Sequence, residues 1–194
     1  GKRGAHAQGL GRSRGGLSTK IHAASDGLGN PVRLIGGPGQ ENDIVQAQNL
    51  IADFTPQYVF GDRAYDADAF LASIQNVGAE AVIPAKRNRK VLRQHDKLLY
   101  KERNLIERFF NKLKNFRRVA TRYDKLLVNF MGFVKIAAIT IIIKSLNCHH
   151  DLRKRLFFLL CRMQDLQSKS HTYIFTLPIL QQVKSTSWTR YANR

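Results

Sequence analysis

The sequence predicts a mixed α/β domain. Three observations point that way: short apolar runs closed by turn residues, longer stretches with apolar residues at helical spacing, and their order along the chain. Hairpin, helix, strand, helix, strand and then helices is the order of a mixed sheet flanked by helices. The chain has 194 residues, 43% apolar and 24% charged, enough for one buried core and little more.

The opening run GKRGAHAQGLGRSRGG is Gly-rich and basic, and predicts a loop or flexible arm. Two β-friendly runs follow, around Thr19–Ala23 and Val32–Ile35. They flank Asp26-Gly27 and Gly29-Asn30, which is a hairpin signal. Asp43 stands where a helix N-cap belongs, with Gln46 three residues on, and Ile44, Ala47, Leu50 and Ile51 keep helical spacing. Tyr58-Val59-Phe60, closed by Gly61-Asp62, predicts a short buried strand. Asp66 is expected to cap a helix carrying Phe70, Leu71, Ile74 and Val77, which Gly78 ends. Ala81-Val82-Ile83-Pro84 predicts another strand, and residues 86–94 a basic loop. A long helix is expected from about Tyr100 to Phe116 and a second over residues 126–143. No internal repeat is present.

The stretch from Leu126 to Ile143 raises the question of a membrane span, but Asn129 and Lys135 interrupt it. Its uninterrupted part falls well short of the roughly 20 apolar residues a bilayer requires, so a buried helix is expected. From about Ser145 periodicity fades, and residues 145–194 predict a basic appendage to a domain spanning residues 1–144. Two cysteines, Cys148 and Cys161, exclude a disulfide-rich scaffold and fit a reducing, cytoplasmic setting. Gly1 replaces an initiator Met and no charged-then-apolar leader follows, so the chain is expected to be a fragment without a signal peptide.

Charge narrows the function. The chain carries 32 Lys and Arg against 14 Asp and Glu, a net +18. Residues 86–125 alone contribute fifteen basic and four acidic side chains, +11 of that total. A positive field focused on one segment predicts contact with a polyanion, in practice DNA. Lys86, Arg87, Arg89, Lys90, Arg117, Arg118 and Arg122 are the candidate backbone contacts, with Phe109, Phe110, Phe116 and Tyr123 interleaved.

The helix from Tyr100 also carries a candidate chemical site. At roughly 100° per residue, with Glu107 at zero, Tyr100 falls near +20°, Arg103 near −40° and Lys114 near −20°. Leu105, Ile106, Phe109, Leu113 and Phe116 take the opposite side. The helix thus presents one carboxylate on a ridge with Tyr, Arg and Lys. Arg103 and Glu107 could be only an i,i+4 pair. A phosphoryl-transfer site, however, needs such a face: a carboxylate for a divalent metal, and a cation for a phosphate. Asp62, at the carboxyl end of the predicted strand, is the best second acid, with Asp66 and Asp68 as competitors. Carboxylate oxygens suit Mg²⁺ or Mn²⁺.

Tyr100-x2-Arg103-x3-Glu107-x6-Lys114 resembles the Tyr–Arg–Glu–Lys signature of bacterial insertion-sequence transposases with a DDE catalytic site. GRSRGGLSTKIHAASDGLGNPVRL, GDRAYD, VIPAKRNRK and ERNLIERFFNKLKNFRRVATRYDKL are similar to the same family, its IS-five branch within the IS-four-like group. The resemblance covers about residues 4–144. It implies an RNase H-like fold, two-metal cleavage and strand transfer of DNA, assembly as at least a dimer, and a bacterial cytoplasmic setting. By position, Asp62 matches the second catalytic acid and Glu107 the third, while Tyr100, Arg103 and Lys114 match accessory residues. The family's first Asp lies upstream of the Gly-rich opening, and Asp26 matches a turn residue instead. The resemblance therefore implies a domain lacking its first strand, with an unpaired sheet edge, and a chain inactive alone. An upstream transposase fragment, supplied by frameshifting, would complete it; a decayed remnant that only binds DNA is the alternative. An unrelated RNase H-like nuclease and a ribosome-associated protein are further rivals.

Other motifs are weak. Cys148-His149-His150 lacks zinc-site spacing, and GLGRSRGG lacks the Lys-Ser/Thr of a phosphate loop.

Overall fold

A computed structural model describes residues 4, 6–13, 16–89, 96–146 and 173–179. Turn chemistry sets its first half. Asp26 Oδ1 accepts from the backbone N–H groups of Leu28 and Asn30, and Gly29 takes φ +81°, which a side chain would oppose. This turn joins β2 (Gly16–Ser25) to β3 (Pro31–Pro38) as the expected antiparallel hairpin. The opening is not a free arm along its whole length: β1 (Gly11–Ser13) pairs with the start of β2, and Gln8 Oε1 accepts from Leu127 N. Turn residues concealed this short strand.

A 3₁₀ turn over Asp43–Gln46 leads into α1 (Ala47–Ile51). Asp43 caps nothing; it begins the turn and reaches Lys20 instead. β4 (Tyr58–Gly61) follows, then α2 (Asp68–Asn76) and β5 (Glu80–Val82), parallel to β4. Asp66 does not cap α2, whose N-cap is Ala67. Its carboxylate accepts from Lys86 N and Arg89 Nε, 2.7 Å each, and fastens the basic loop to the domain.

The expected long helix begins earlier and is tighter in the middle. α3 (Lys97–Tyr100) passes through a 3₁₀ turn at Lys101–Arg103 into α4 (Asn104–Leu113). Asp96 caps it, its Oδ1 accepting from Leu98 N and Leu99 N. α5 (Arg117–Ala120) and α6 (Leu127–Leu146) complete the helices. α6 is long and apolar enough to cross a bilayer, yet Phe130, Val134, Ala137 and Ala138 are buried in the domain core. Burial is one-sided, for Val128 and Ile136 remain 79% and 60% exposed.

The sheet holds a further strand, β6 (Tyr173–Ile179), drawn from the segment expected to be an appendage. It lies between β2, to which it is antiparallel, and β4, to which it is parallel. The order is β1-β2-β6-β4-β5, with β3 on the other side of β2. Period-2 alternation sends Ile21, Ala23, Phe60 and Val82 to one face, against Ile106, Phe109, Phe110, Leu113 and Phe130. Ala24, Val59 and Ile83 face the other way, against Leu50, Ile51, Phe70 and Ile74. The result is a mixed sheet between two helical layers, with α4 and α6 on one side and α1 and α2 on the other.

Candidate active site

β4 delivers Asp62 at its carboxyl end. Asp62 Oδ1 accepts from Ala64 N at 2.9 Å and holds the 3₁₀ turn Arg63–Tyr65. The residue therefore has a local duty that the sequence did not reveal. Burial pushes its carboxyl above the usual carboxylate range. The Ala64 N–H pulls it back, Asp43 pushes it further up, and the Arg103 guanidinium pulls it down. A carboxylate short of compensating positive charge is one that a cation would relieve.

The ridge on the other side of this cleft forms as its spacing predicts. Arg103 Nη2 lies 2.7 Å from Glu107 Oε1, and the Arg103 guanidinium sits 5.3 Å from the centre of the Tyr100 ring. Burial raises the Tyr100 hydroxyl, and it feels the charges of Arg103, Asp62, Arg63 and Glu107. Asp62, Tyr100, Arg103 and Glu107 thus share one electrostatic neighbourhood. Lys114 does not join it: it is the exposed C-cap of α4, about 10 Å along the axis from Glu107.

Two carboxylates of different exposure suit a hard divalent cation that keeps most of its waters. Among the described residues no group of three or more His, Cys, Asp or Glu side chains is close enough to form a complete cage. Asp62 and Glu107 would hold such an ion together, with Glu107 loosening its pairing to Arg103.

A second polar group stands beside the site and was missed. Lys20, 5% exposed, donates to Asp43 Oδ1 at 2.7 Å and to Glu41 O at 2.6 Å. His22, fully buried on the same face of β2, has Nε2 3.3 Å from Glu41 Oε2 but not aligned for a hydrogen bond. The Tyr65 hydroxyl is buried without a hydrogen-bond partner, and Asp43 and Asp62 both push its ionisation up after burial. The signal lay in the spacing of Lys20 and His22, two polar residues on one face of an otherwise apolar strand.

The basic residues divide. Arg87, Arg117 and Arg118 are exposed. Arg89 is held by Asp66 and Asp68, and Lys86 is half-buried. Arg122, expected at the DNA-facing surface, is 2% exposed. Its guanidinium donates to Thr19 Oγ1, Asp124 O and Lys125 O and packs over the Phe130 ring, so it is a structural tie. Sequence cannot separate a buried Arg from an exposed one in a basic run. Lys90, Cys148, His149, His150 and Cys161 lie outside the described residues.

Comparison with known proteins agrees with this geometry. Residues 2–142 match the family model described as the transposase DDE domain. The chain is 45% identical over 125 residues to a Brucella ovis protein named as a transposase for insertion sequence element IS6501. That alignment covers 62% of this chain and 95% of the relative. It is 27% identical over 148 residues to a Burkholderia cepacia protein named as a transposase for element IS402, covering 70% of this chain and 65% of that one. No solved structure matches the chain.

Proposed function

Because the chain belongs to the transposase DDE domain family, we propose that its Asp62–Glu107 cleft is the phosphoryl-transfer site of an insertion-sequence transposase of the IS-five branch, on an RNase H-like sheet. The observation that carries this reading is the convergence of Asp62, from the end of β4, with the Tyr100–Arg103–Glu107 ridge. Strand polarity supports the fold assignment, since the central strand runs parallel to β4 and antiparallel to β2.

Asp62 and Glu107 hold Mg²⁺ or Mn²⁺. Such an ion polarises the scissile phosphate and lowers the pKa of the attacking water or 3′-hydroxyl. Arg103, already beside Glu107, exchanges part of that pairing for a phosphate oxygen. Tyr100, kept neutral by burial, donates its hydroxyl proton in a hydrogen bond to the same group. Arg87, Arg117, Arg118 and Lys114 hold the DNA backbone without reading its sequence. At least two chains assemble on DNA, because element ends are cut and joined in pairs.

Titration of Mn²⁺ into the chain and into Asp62→Asn and Glu107→Gln tests the site. Asn keeps the acceptor for Ala64 N, so the turn survives. Saturable binding lost in both variants is the expected outcome; binding indifferent to both changes would sink the reading. Strand transfer on element-end DNA, measured with the same variants, tests the reaction.

A further inference from the structure

The position of β6 carries a consequence that the site alone does not. β6 fills the slot between β2 and β4, in register from Ile21↔Ile179 to Ser25↔Phe175 on one side and from Tyr58↔Tyr173 to Gly61↔Thr176 on the other. The next step of that second register places residue 177 beside Asp62. Residue 177 is also aligned with Ala23, which shares its sheet face with Phe60 and the α4 layer. A side chain at this register on that face points where Asp62 and Glu107 converge. Yet YIFTLPI contains no acid.

β6 is also an uneasy central strand. Pro178, aligned with His22, has no N–H, so the ladder loses a donor at a position paired on both sides. Prolines belong at sheet edges, and a strand with one in the centre is held less firmly than its neighbours. Beside it, both ring nitrogens of His22 are buried without hydrogen bonds. A slot with two complete flanking strands, filled by a strand that satisfies it imperfectly, is open to competition by main-chain pairing.

We propose that the β2–β4 slot is a strand-exchange site, in which β6 is an acid-free plug. The occupant it fits best is an extended apolar segment, parallel to β4, with an aspartate at the register of Leu177. Such a strand restores the ladder donor lost at Pro178 and adds a third carboxylate beside Asp62 and Glu107. The metal part of this inference rests on the proposed phosphoryl-transfer site; the exchange part does not.

The probe is a fluorescent peptide of the β6 sequence, with Asp at the Leu177 register, Val at the Pro178 register and flanking lysines for solubility. It is incubated with the full chain in the Cys148→Ser, Cys161→Ser background. The control protein adds Ala23→Cys and Leu177→Cys, oxidised so that the disulfide locks β6 in place. Binding to the unlocked chain that the lock abolishes, and that Mn²⁺ tightens about tenfold, is the expected result. Loss of the Mn²⁺ effect in Asp62→Asn completes it. Lock-sensitive binding indifferent to Mn²⁺ supports the exchange site and removes the metal role assigned to Asp62 and Glu107. Absence of binding, or binding unchanged by the lock, overturns the exchange site and leaves that metal role standing. As a second measurement, Leu177→Asp in the full chain should bind Mn²⁺ about tenfold more tightly than the parent, and no gain in a variant with unchanged circular dichroism counts against the register.

Discussion

His22 is neutral in the folded chain because burial lowers its pKa below the ordinary 6.5. Asp43 and Glu41 pull the other way, and Lys20 adds to the lowering. The unfolded chain therefore takes up this proton at a pH where the folded chain does not. Stability contributed by His22 is complete above about pH 6.5 and is lost as pH falls through the window below it. The slope can reach about 1.4 kcal/mol per pH unit. Urea midpoints of the chain and of His22→Gln should converge as pH is lowered from 7 to 5.5; parallel curves would mean that His22 titrates alike in both states. Arg122 is a different kind of buried charge, satisfied by Thr19, two backbone carbonyls and the Phe130 ring. Arg122→Ala should cost about 2–4 kcal/mol by urea unfolding, because it strands those acceptors and opens a void. Both residues lie in sequence runs that look ordinary. The basic run around Arg122 and the β-friendly run around His22 were legible as elements, while which side chain turned inward was not.

At the scale of elements, what the sequence revealed follows from periodicity. α4 and α6 carry apolar residues on a continuous stripe or a long run, and both appear within a few residues of their expected ends. β1 and β6 were missed for a physical reason: one is three residues long among glycines, and the other contains Pro178 and has no turn signal before it. Their pairing is decided by long-range partners that local spacing does not encode. The packing of α6 on the hairpin depends on a glycine. A Cβ at Gly36 would stand 2.8 Å from Met131 Sδ and 2.9 Å from Leu127 Cδ1. These are ends of flexible side chains, so Gly36→Ala should be tolerated within about 1 kcal/mol, whereas the branched Gly36→Val should cost about 1–3 kcal/mol by overpacking. Equal thermal midpoints for the two variants would show that α6 is not pressed against β3 there. On the other side of α6, Phe110 is 1% exposed in the core shared with Phe130. Phe110→Ala should lower stability by about 3–5 kcal/mol.

For the whole molecule, the separation of charge from core decides how DNA is held. The surplus lies in residues 86–125, but the fold spends part of it internally: Arg122 on the core, and Arg89 on Asp66 and Asp68. Arg117 and Arg118 stay outside, the first 6.0 Å from the Tyr123 ring centre and the second 4.4 Å from that of Phe133. Arg118 lies 3.8 Å from Asp124, a loose pairing that a phosphate would replace. Each exposed guanidinium that neutralises a phosphate releases condensed counterion, and steepens the fall of log K with log salt by about 0.9 on duplex DNA. Arg117→Gln with Arg118→Gln should therefore flatten that slope by about 1.8, and weaken binding alike for element-end and unrelated duplexes. Arg122→Lys loses stability but should leave the slope of the folded protein as it was, because its guanidinium meets no phosphate. The measurement is binding anisotropy across a salt series below each variant's unfolding transition. An unchanged slope in the double variant would move the DNA path off α5. A slope flattened by Arg122→Lys would mean that binding opens the β2–α6 tie, and that the domain rearranges when it takes up DNA.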